Sequence, residues 1–464
     1  MTAVICGWLA VSLIIGPAGS AYAFSVGEEK EVGEQLLAIV RKEFKVIDDP
    51  DVVQYVNRIG GDILRVAGPQ FFNYHFFVID NKEFNAFAAP SGMIFIHSGL
   101  IKTMASEGEL MSVIAHEVGH AASRHIADRI AKSSKITAGT AAMALAGILL
   151  GAGPVSEALV VGSLATGTTM NLKFSRQDEE EADRIAYKFM KQLGRDPASM
   201  VSMLRKMYRI DRYRQGQVPA YLLTHPQPAR RMGYVQNLIQ MDGVGKYSAE
   251  DQFDFRRIKC RILAQSEDAM SLLPVYRREA DDVKLDIDRR MMALYGISLA
   301  NVANAEFDAA IKSLNKVIAH YPEKSILKTD LGVIYFAAGD YKKALSILLK
   351  SYVVAPDCFH TKYYMARSLS HLGKLTEAAN FYEELLVEMP DNADLHAQLG
   401  RIKADMGEMV SAYYHLGAYH WYDGNAKMAK HHLQQAVKLS EGGAERDAAK
   451  ELLATIARVE KNSQ

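Results

Sequence analysis

Residues 106–132, SEGELMSVIAHEVGHAASRHIADRIAK, are the stretch from which the fold and the chemistry of this chain can be worked out. Ser106 followed three residues later by Glu109 is the pattern of a capping box, which predicts a helix start. Leu110 and Ile114 then recur at helical spacing. The stretch is therefore expected to be a helix with one apolar face.

Two histidines on this helix have the spacing of metal ligands. His116 and His120 are four residues apart, so they project from the same face of a helix. Two imidazoles placed in this way can bind one Zn²⁺, and Glu117 beside them can take a proton from a metal-bound water. The alternative is a chance pair on a solvated helix, which the helix cap and a matching acidic segment downstream disfavour.

That acidic segment is FSRQDEEEAD at residues 174–183, which is expected to open a helix that runs to Leu193 and stops at Gly194. A catalytic zinc bound by two histidines needs a third protein ligand, and Glu179 can supply it. Asp183 lies one turn further on the same face and can accept the outer N–H of a ligand histidine. Taken alone, such a run is more often a favourable charge at a helix start.

Upstream of the helix, two short runs rich in β-formers at residues 74–79 and 93–96 predict strands. Pro and Gly in the intervening NAFAAPSG indicate a strand near a sheet edge. An extended peptide could pair with such an edge and be presented to the metal, although an ordinary hairpin rim fits equally well. The residues expected to pair with a peptide are Ala88, Ala89, Pro90, Ser91 and Gly92.

Length and composition set broad limits. The chain has 464 residues, enough for two or three domains, and its 54 basic and 54 acidic residues give no sign of a nucleic-acid partner. Residues 1–23 resemble a secretory signal that is cleaved before Phe24, although no Lys or Arg precedes the apolar core. Export to a bacterial periplasm follows from this prediction. Pairing of Cys260 with Cys358 cannot be decided from the sequence.

Residues 136–172 contain a single charged residue, Glu157, and are otherwise rich in Ala, Gly, Leu, Val and Thr. The first apolar arm is roughly 24 Å long as a helix, shorter than the roughly 30 Å of a bilayer core. A helical hairpin beside the active site is therefore expected. It could pack as core or touch a membrane, so the protein could be peripheral to a membrane.

A loop bounded by prolines, THPQPARR at residues 224–231, carries a histidine and two arginines. His225 and Arg231 could stabilise oxyanion charge at the metal or close over it. On composition alone, a surface loop is the simpler interpretation.

The C-terminal part of the chain repeats with a period of 34 residues. Small residues and prolines at this step are typical of tetratricopeptide repeats, whose paired helices touch through small residues. The register slips by half a repeat after Gly407, and helices are expected to about Val459 as a capping end. The repeating positions are Gly332, Ala366 and Gly400; Gly339, Gly373 and Gly407; Ala344, Ala378 and Ala412; and Pro322, Pro356 and Pro390.

Four of these motifs occur in an order that resembles the M48 family of zinc metallopeptidases. They are HEVGH, the E-x-x-x-D within SRQDEEEAD, the strand segment NAFAAPSGMIFI and the loop THPQPARR. The resemblance covers roughly residues 24–242 and, through members that carry repeats, extends into the C-terminal half. It implies a mainly α fold, with a gluzincin-type domain containing a small β-sheet followed by an α-α solenoid.

The resemblance also implies roles for individual residues. His116, His120 and Glu179 would bind one Zn²⁺ per chain, Glu117 would be the catalytic base, and Asp183 would support a ligand histidine. In some relatives the histidine of the loop is thought to cap the zinc, so His225 would be an inhibitory fourth ligand rather than a catalytic helper. Arg231 falls on the arginine of the same family element.

The expected organisation is a signal peptide at 1–23, a peptidase domain at 24–242, a junction at 243–258 and repeats at 259–464. The function expected is that of a periplasmic zinc endopeptidase in protein quality control. Its repeats would recruit polypeptide clients, which the resemblance suggests are outer-membrane proteins or their assembly machinery. The alternative is a chaperone or assembly scaffold whose zinc site is held closed by His225.

Overall fold

A computed structural model describes residues 24–132, 137–150, 173–213, 218–243, 245, 247 and 250–462. The predicted signal peptide and the second apolar arm, which follows Pro154 and ends at Leu172, lie outside these ranges. The described chain is mainly helical with one small sheet, which confirms the expected fold class.

The N-terminal domain contains helices and three strands. In chain order they are α1 (Val26–Glu43), α2 (Pro50–Ala67), β1 (His75–Ile79), β2 (Ala86–Ala89), β3 (Met93–His97), α3 (Ser98–Thr103), α4 (Glu107–Ala122), α5 (His125–Lys132), α6 (Ala138–Leu150), α7 (Arg176–Gln192), α8 (Ala198–Tyr213), α9 (Ala220–Thr224) and α10 (Pro228–Asp242).

The C-terminal domain is helical throughout. Its helices are α11 (Phe253–Ser266), α12 (Ala269–Asp281), α13 (Ile287–Ala303), α14 (Phe307–His320), α15 (Ile326–Ala337), α16 (Tyr341–Val354), α17 (Phe359–His371), α18 (Leu375–Glu388), α19 (Ala393–Asp405), α20 (Met409–Tyr422), α21 (Ala426–Leu439) and α22 (Ala444–Asn462). Helix α11 begins at Phe253, inside the predicted junction at 243–258, and buried Phe253 and Phe255 join the flanking cores.

The sheet has the order β1-β3-β2, with β1 parallel and β2 antiparallel to β3. The peptide-pairing stretch predicted at residues 88–92 is divided by the structure. Ala88 and Ala89 lie in β2, which is an edge strand as expected, whereas Pro90, Ser91 and Gly92 form a 3-10 turn. Ser91 has a φ of 67°, so the chain turns there instead of continuing the strand.

One face of the sheet packs on α2 and α4, and the other is covered by α1, α5 and α6. The described part of the apolar hairpin, α6, supplies buried Ala141, Ala142 and Leu145 to this second core. For these residues, core packing is the interpretation that the structure supports. Within the described ranges, no helix has both the length and the apolar character needed to cross a membrane.

Three glycines explain the half-repeat slip in the C-terminal domain, because each lies where its helix packs closely against the next one. A Cβ on Gly332 would lie 2.8 Å from the side chain of Leu348, and Gly400 and Gly417 stand in the same relation to Leu416 and Leu433. Each glycine thus lets its helix approach the next one closely. Helix α20 carries Gly417 and also packs against Gly400 of α19. It is therefore the second helix of one repeat and the first helix of the next.

Buried charged side chains join the two domains. The guanidinium of Arg257 on α11 contacts Asp51 of α2 at 2.5 Å and Asp330 of α15 at 2.8 Å. Arg261 bridges Asp49 and Asp330 at 2.6 and 3.1 Å. We call the set Asp49, Asp51, Arg257, Arg261, Asp330 and His360 the junction cluster; its histidine lies 3.6 Å from Asp330.

Candidate metal centre

The centre is built on α4, which begins after Ser106 as the cap predicts. The Ser106 hydroxyl accepts the Glu109 N–H at 3.3 Å, although the Glu109 carboxylate accepts the N–H of Ala105 rather than that of Ser106. The helix lies inside the domain, and His116 and His120 are at most 2% exposed. Their Nε2 atoms are 3.1 Å apart, so both rings face one point as the spacing predicts.

Helix α7 brings Glu179 to the two histidines because it can approach α4 closely. A Cβ on Gly119 would lie 3.1 Å from the carbonyl oxygen of Ala182, which leaves no room for a side chain at that position. Glu179 Oε1 lies 3.4 Å from His120 Nε2, and Glu179 Oε2 lies 3.7 Å from His116 Nε2.

The fourth member of the cluster is His225, at the C-terminal end of α9. Its Nδ1 lies 3.0 Å from Glu179 Oε1 and 3.4 Å from His116 Nε2, and the residue is fully buried. Far from being a surface loop, this segment is fixed in place. Phe174 donates its N–H to the carbonyl of Thr224 at 2.9 Å, and the ring of Tyr221 stacks on His225 at 4.3 Å.

The four side chains fit a single divalent ion. The donor atoms of His116, His120, Glu179 and His225 all lie within 4.8 Å of one another. A tetrahedral zinc with bonds of about 2.0–2.1 Å requires ligand atoms about 3.3–3.4 Å apart. The measured separations of 3.0 to 3.7 Å bracket that value. Imidazole and carboxylate donors are also the ones that zinc prefers outside thiolate sites.

Glu117 lies at the side of the cluster and does not point into its centre. Its Oε2 accepts the N–H of Ala88 on β2 at 3.0 Å. Its Oε1 has no hydrogen-bond partner among the described residues and lies 3.7 Å from Nε2 of His225. One oxygen of this fully buried carboxylate accepts a hydrogen bond and the other does not. The second oxygen is free to accept a proton from a small molecule beside the donor atoms.

An arginine and an aspartate support the cluster from outside. Arg231 holds Asp183 with two hydrogen bonds of 2.9 and 2.7 Å and contacts Glu179 Oε2 at 2.8 Å. Asp183 Oδ1 in turn lies 3.0 Å from Nδ1 of His116. Asp183 therefore lies beside His116, where its predicted supporting role requires it, and Arg231 contacts both acids and, at 3.2 Å, Nε2 of His116.

Burial and charge set the protonation of the cluster. Burial lowers the pKa of His120 well below its usual 6.5, so the ring is neutral and able to bind a metal. Burial alone would raise the pKa of Glu179, but Arg231 and His225 lower it well below 4.5. Burial alone would also raise the pKa of Asp183, but Arg231, the strongest of the lowering influences, brings it below its usual value. The acids are thus ionised and the histidine is neutral, as metal ligation requires.

Three residues of the site were missed by the sequence analysis. His125 lies beside His120, with their Nδ1 atoms 2.8 Å apart, and the ring of Phe174 stacks on His120 at 3.9 Å. Tyr221 covers His225. A histidine three residues beyond the helix end was the available signal for His125, whereas the two aromatic residues have no motif that distinguishes them from core residues.

The cluster is closed in this structure. The cavity beside it, bordered by His116, Asp183 and Arg231, has a volume of only about 20 Å³. A cavity of about 450 Å³ lies elsewhere, between β1 and the loop that precedes α19. In this arrangement of the described residues, the space beside the donor atoms is too small for a polypeptide.

Comparisons with known proteins agree with the fold. Residues 50–239 match peptidase family M48, and residues 295–357 and 410–442 match tetratricopeptide repeats. The chain is 32% identical over 301 residues to the β-barrel assembly-enhancing protease of Escherichia coli K12, covering 64% of this chain and 61% of that protein. It is 28% identical to metalloprotease LoiP of the same organism, covering 48% of this chain and 85% of LoiP.

Among solved structures, one of MamA aligns with 42% of this chain and 96% of its own at 19% identity. The TM-score is 0.27, so this alignment adds nothing to the assignment. Over its matched residues the chain carries an M48 domain followed by tetratricopeptide repeats, as the order of motifs indicated.

Proposed function

We propose that this chain, which is built from a peptidase family M48 domain followed by tetratricopeptide repeats, is a zinc-dependent endopeptidase. The observation that carries the proposal is the convergence of His116, His120 and Glu179 at zinc-ligand distances, with Glu117 beside them. A zinc ion held there would polarise the scissile carbonyl and lower the pKa of water.

Each residue then has a defined task. Glu117 accepts the proton of the attacking water through Oε1 and passes it to the leaving amine. Asp183 keeps His116 oriented through its Nδ1, and Arg231 keeps Asp183 ionised. These roles use the contacts that the folded chain already contains, and they require no rearrangement of α4 or α7.

The outer edge of β2 is buried in this structure, with Ala86 and Ala88 at most 1% exposed, and a substrate could pair with it once it is uncovered. Because His97 donates its N–H to Asn85, the N–H and C=O groups of Ala86 and Ala88 point away from β3. The N–H of Ala88 already donates to Glu117. A peptide that pairs with this edge would therefore run past the base. Within the predicted stretch, only Ala88 has its backbone groups on this edge, because Ala89 pairs with Met93 of β3.

The clients and the compartment are part of the same proposal. The name of the relative described above refers to β-barrel assembly, and we extend that role to this chain: its repeats would recruit misassembled outer-membrane proteins or their assembly machinery. The apolar segment at residues 1–23, with its small-x-small cleavage pattern, supports export to the periplasm.

The closed cluster favours a second candidate, in which the protein acts as a chaperone or assembly scaffold with its zinc site shut. His225 Nδ1 occupies the fourth ligand position, and its Nε2 faces Glu117. Replacing His225 with Ala separates the two candidates. Higher peptidase activity would identify His225 as a restraint on an enzyme, and lower activity would make it a catalytic helper.

The decisive experiment is Glu117→Gln in the full chain. We expect the variant to bind one zinc per chain and to lose hydrolysis of β-casein by about 10²–10⁴-fold, because only the proton acceptor is removed. The wild type is the positive control, and a chelator-treated sample is the blank. Proteolysis by the variant at the wild-type rate would exclude this assignment.

A further inference from the structure

The two histidines of α4 differ in what supports them. His116 has the carboxylate of Asp183 beside its Nδ1, the arrangement commonly found around metal-bound histidines. Among the residues that the structure describes, no carboxylate is bonded to Nδ1 of His120. Its partner there is Nδ1 of His125, at 2.8 Å.

A hydrogen bond between two ring nitrogens needs one proton, which one ring donates and the other accepts. His120 Nε2 faces His116 Nε2 and Glu179 Oε1, so it must present a lone pair if the cluster is to hold a metal. The proton of His120 then lies on Nδ1. It follows that Nδ1 of His125 is the acceptor and that Nε2 of His125 carries its proton.

The second nitrogen of His125 points at an acid. Its Nε2 lies 3.6 Å from Glu181 Oε2, and Glu181 Oε1 accepts the hydroxyl of Ser123 at 3.1 Å. The His125 side chain is 7% exposed, whereas that of Glu181 is 45% exposed. The chain Glu181–His125–His120 therefore runs from the surface to the buried donor atoms.

The backbone holds His125 in this position. Helix α4 ends at Ala122, and Arg124 has a φ of 52°, which turns the chain so that α5 starts at His125. That strained turn is held by side-chain contacts, because Arg124 donates to Glu29 at 2.9 Å and to the carbonyl of Phe24 at 2.8 Å.

We propose that His125 is a positioning residue that holds His120 with its proton on Nδ1, leaving Nε2 to bind the metal, and that Glu181 orients His125. The inference rests on the proposed zinc site and deepens it. In this arrangement His125 and Glu181 support His120, as Asp183 supports His116.

The test compares His125→Asn with His125→Leu in the full chain. The two side chains have similar size and branching, but only Asn offers an acceptor to the N–H of His120. Zinc affinity is measured by competition with a chromophoric chelator. We expect the Leu variant to bind zinc about 10- to 100-fold more weakly, and the Asn variant to bind close to the wild type.

Two further variants guard against indirect effects. His396→Ala removes a buried histidine in the repeats, far from α4 in sequence, and should leave zinc affinity unchanged. Glu181→Ala alters a half-exposed side chain, so it should fold even if the Leu variant does not. It is expected to weaken zinc binding in the same direction but by less.

The inference is overturned if the folded Leu variant binds zinc as tightly as the wild type, or if Asn is as damaging as Leu. If the Leu variant does not fold, unchanged affinity in Glu181→Ala overturns it. A wild type that takes up no zinc would reject the proposed function itself, and that result is distinct from a failure confined to His125.

Discussion

The metal centre and the junction cluster are both buried groups of acids and histidines, yet they serve different ends. Each brings together at least three side chains that could ligate an ion. At the centre, three imidazoles and one carboxylate point their lone pairs at a common position. At the junction, the guanidinium groups of Arg257 and Arg261 already lie among the carboxylates.

This difference shows what decides between a metal site and a structural one. Donor atoms that converge without a cation between them need one, because their lone pairs otherwise repel. Arginines contact the acids at both clusters: Arg231 lies 2.8 Å from Glu179, and Arg257 lies 2.8 Å from Asp330. The two cases differ in their imidazole donors, because three histidines converge at the centre and one lies at the junction.

The largest effect is expected from removing a donor at the centre. His116→Ala should lose bound zinc and all measurable peptidase activity, because it removes one of the two imidazoles that α4 contributes to the four-membered cluster. His360→Ala, in the junction cluster, is the matched control and should keep its zinc. Zinc content by atomic absorption checks both variants. Equal zinc losses in the two would contradict the assignment of the metal to the centre rather than to the junction cluster.

The next effect is on stability at the junction. Arg257→Leu should lower the free energy of unfolding by about 3–5 kcal/mol, because it leaves Arg261 to neutralise the buried Asp51 and Asp330 that both arginines now contact. Urea denaturation measures the change. Arg256→Ala is the control. That residue pairs with the exposed Asp286, and its loss should cost at most about 1 kcal/mol.

Zinc itself should stabilise the folded chain by a smaller amount. At a free concentration 100 times the dissociation constant, binding adds about 2.7 kcal/mol to the free energy of unfolding. Thermal unfolding of the apo protein with and without zinc shows the shift as a higher Tm. The same addition should leave His116→Ala unchanged, and a similar Tm rise in that variant would place the bound zinc elsewhere.

The smallest effect is the pH dependence of the junction. Burial alone would raise the pKa of Asp330, but Arg257, His360 and Arg261 lower it below 3.8. A carboxyl whose folded pKa is depressed adds stability above its unfolded pKa and loses it as the pH falls toward the folded value. Stability should therefore drop below about pH 4. Urea midpoints across the acid range should fall less steeply in Asp330→Asn, and identical slopes would contradict this.

Local patterns in the sequence were sufficient for several parts of the structure. The cap at Ser106, the HEVGH spacing and the acidic start of α7 are local, and the helices they predict begin where expected. The 34-residue period likewise specifies the repeats, since Gly332 and Gly400 face the next helix and Gly339, Gly373 and Gly407 have the positive φ of a turn after a helix. Local periodicity fixes which face of a helix is apolar and which residues share it.

The tertiary structure decided what the local patterns left open. It placed His225 against Glu179 and His125 against His120, ended the predicted pairing strand at Ala89, began α11 at Phe253, and put α6 into the core. It also separated the metal centre from the junction cluster. These outcomes depend on contacts between residues far apart in the chain or across a turn, and such contacts are set by how helices and strands pack, which the spacing within any one segment does not encode.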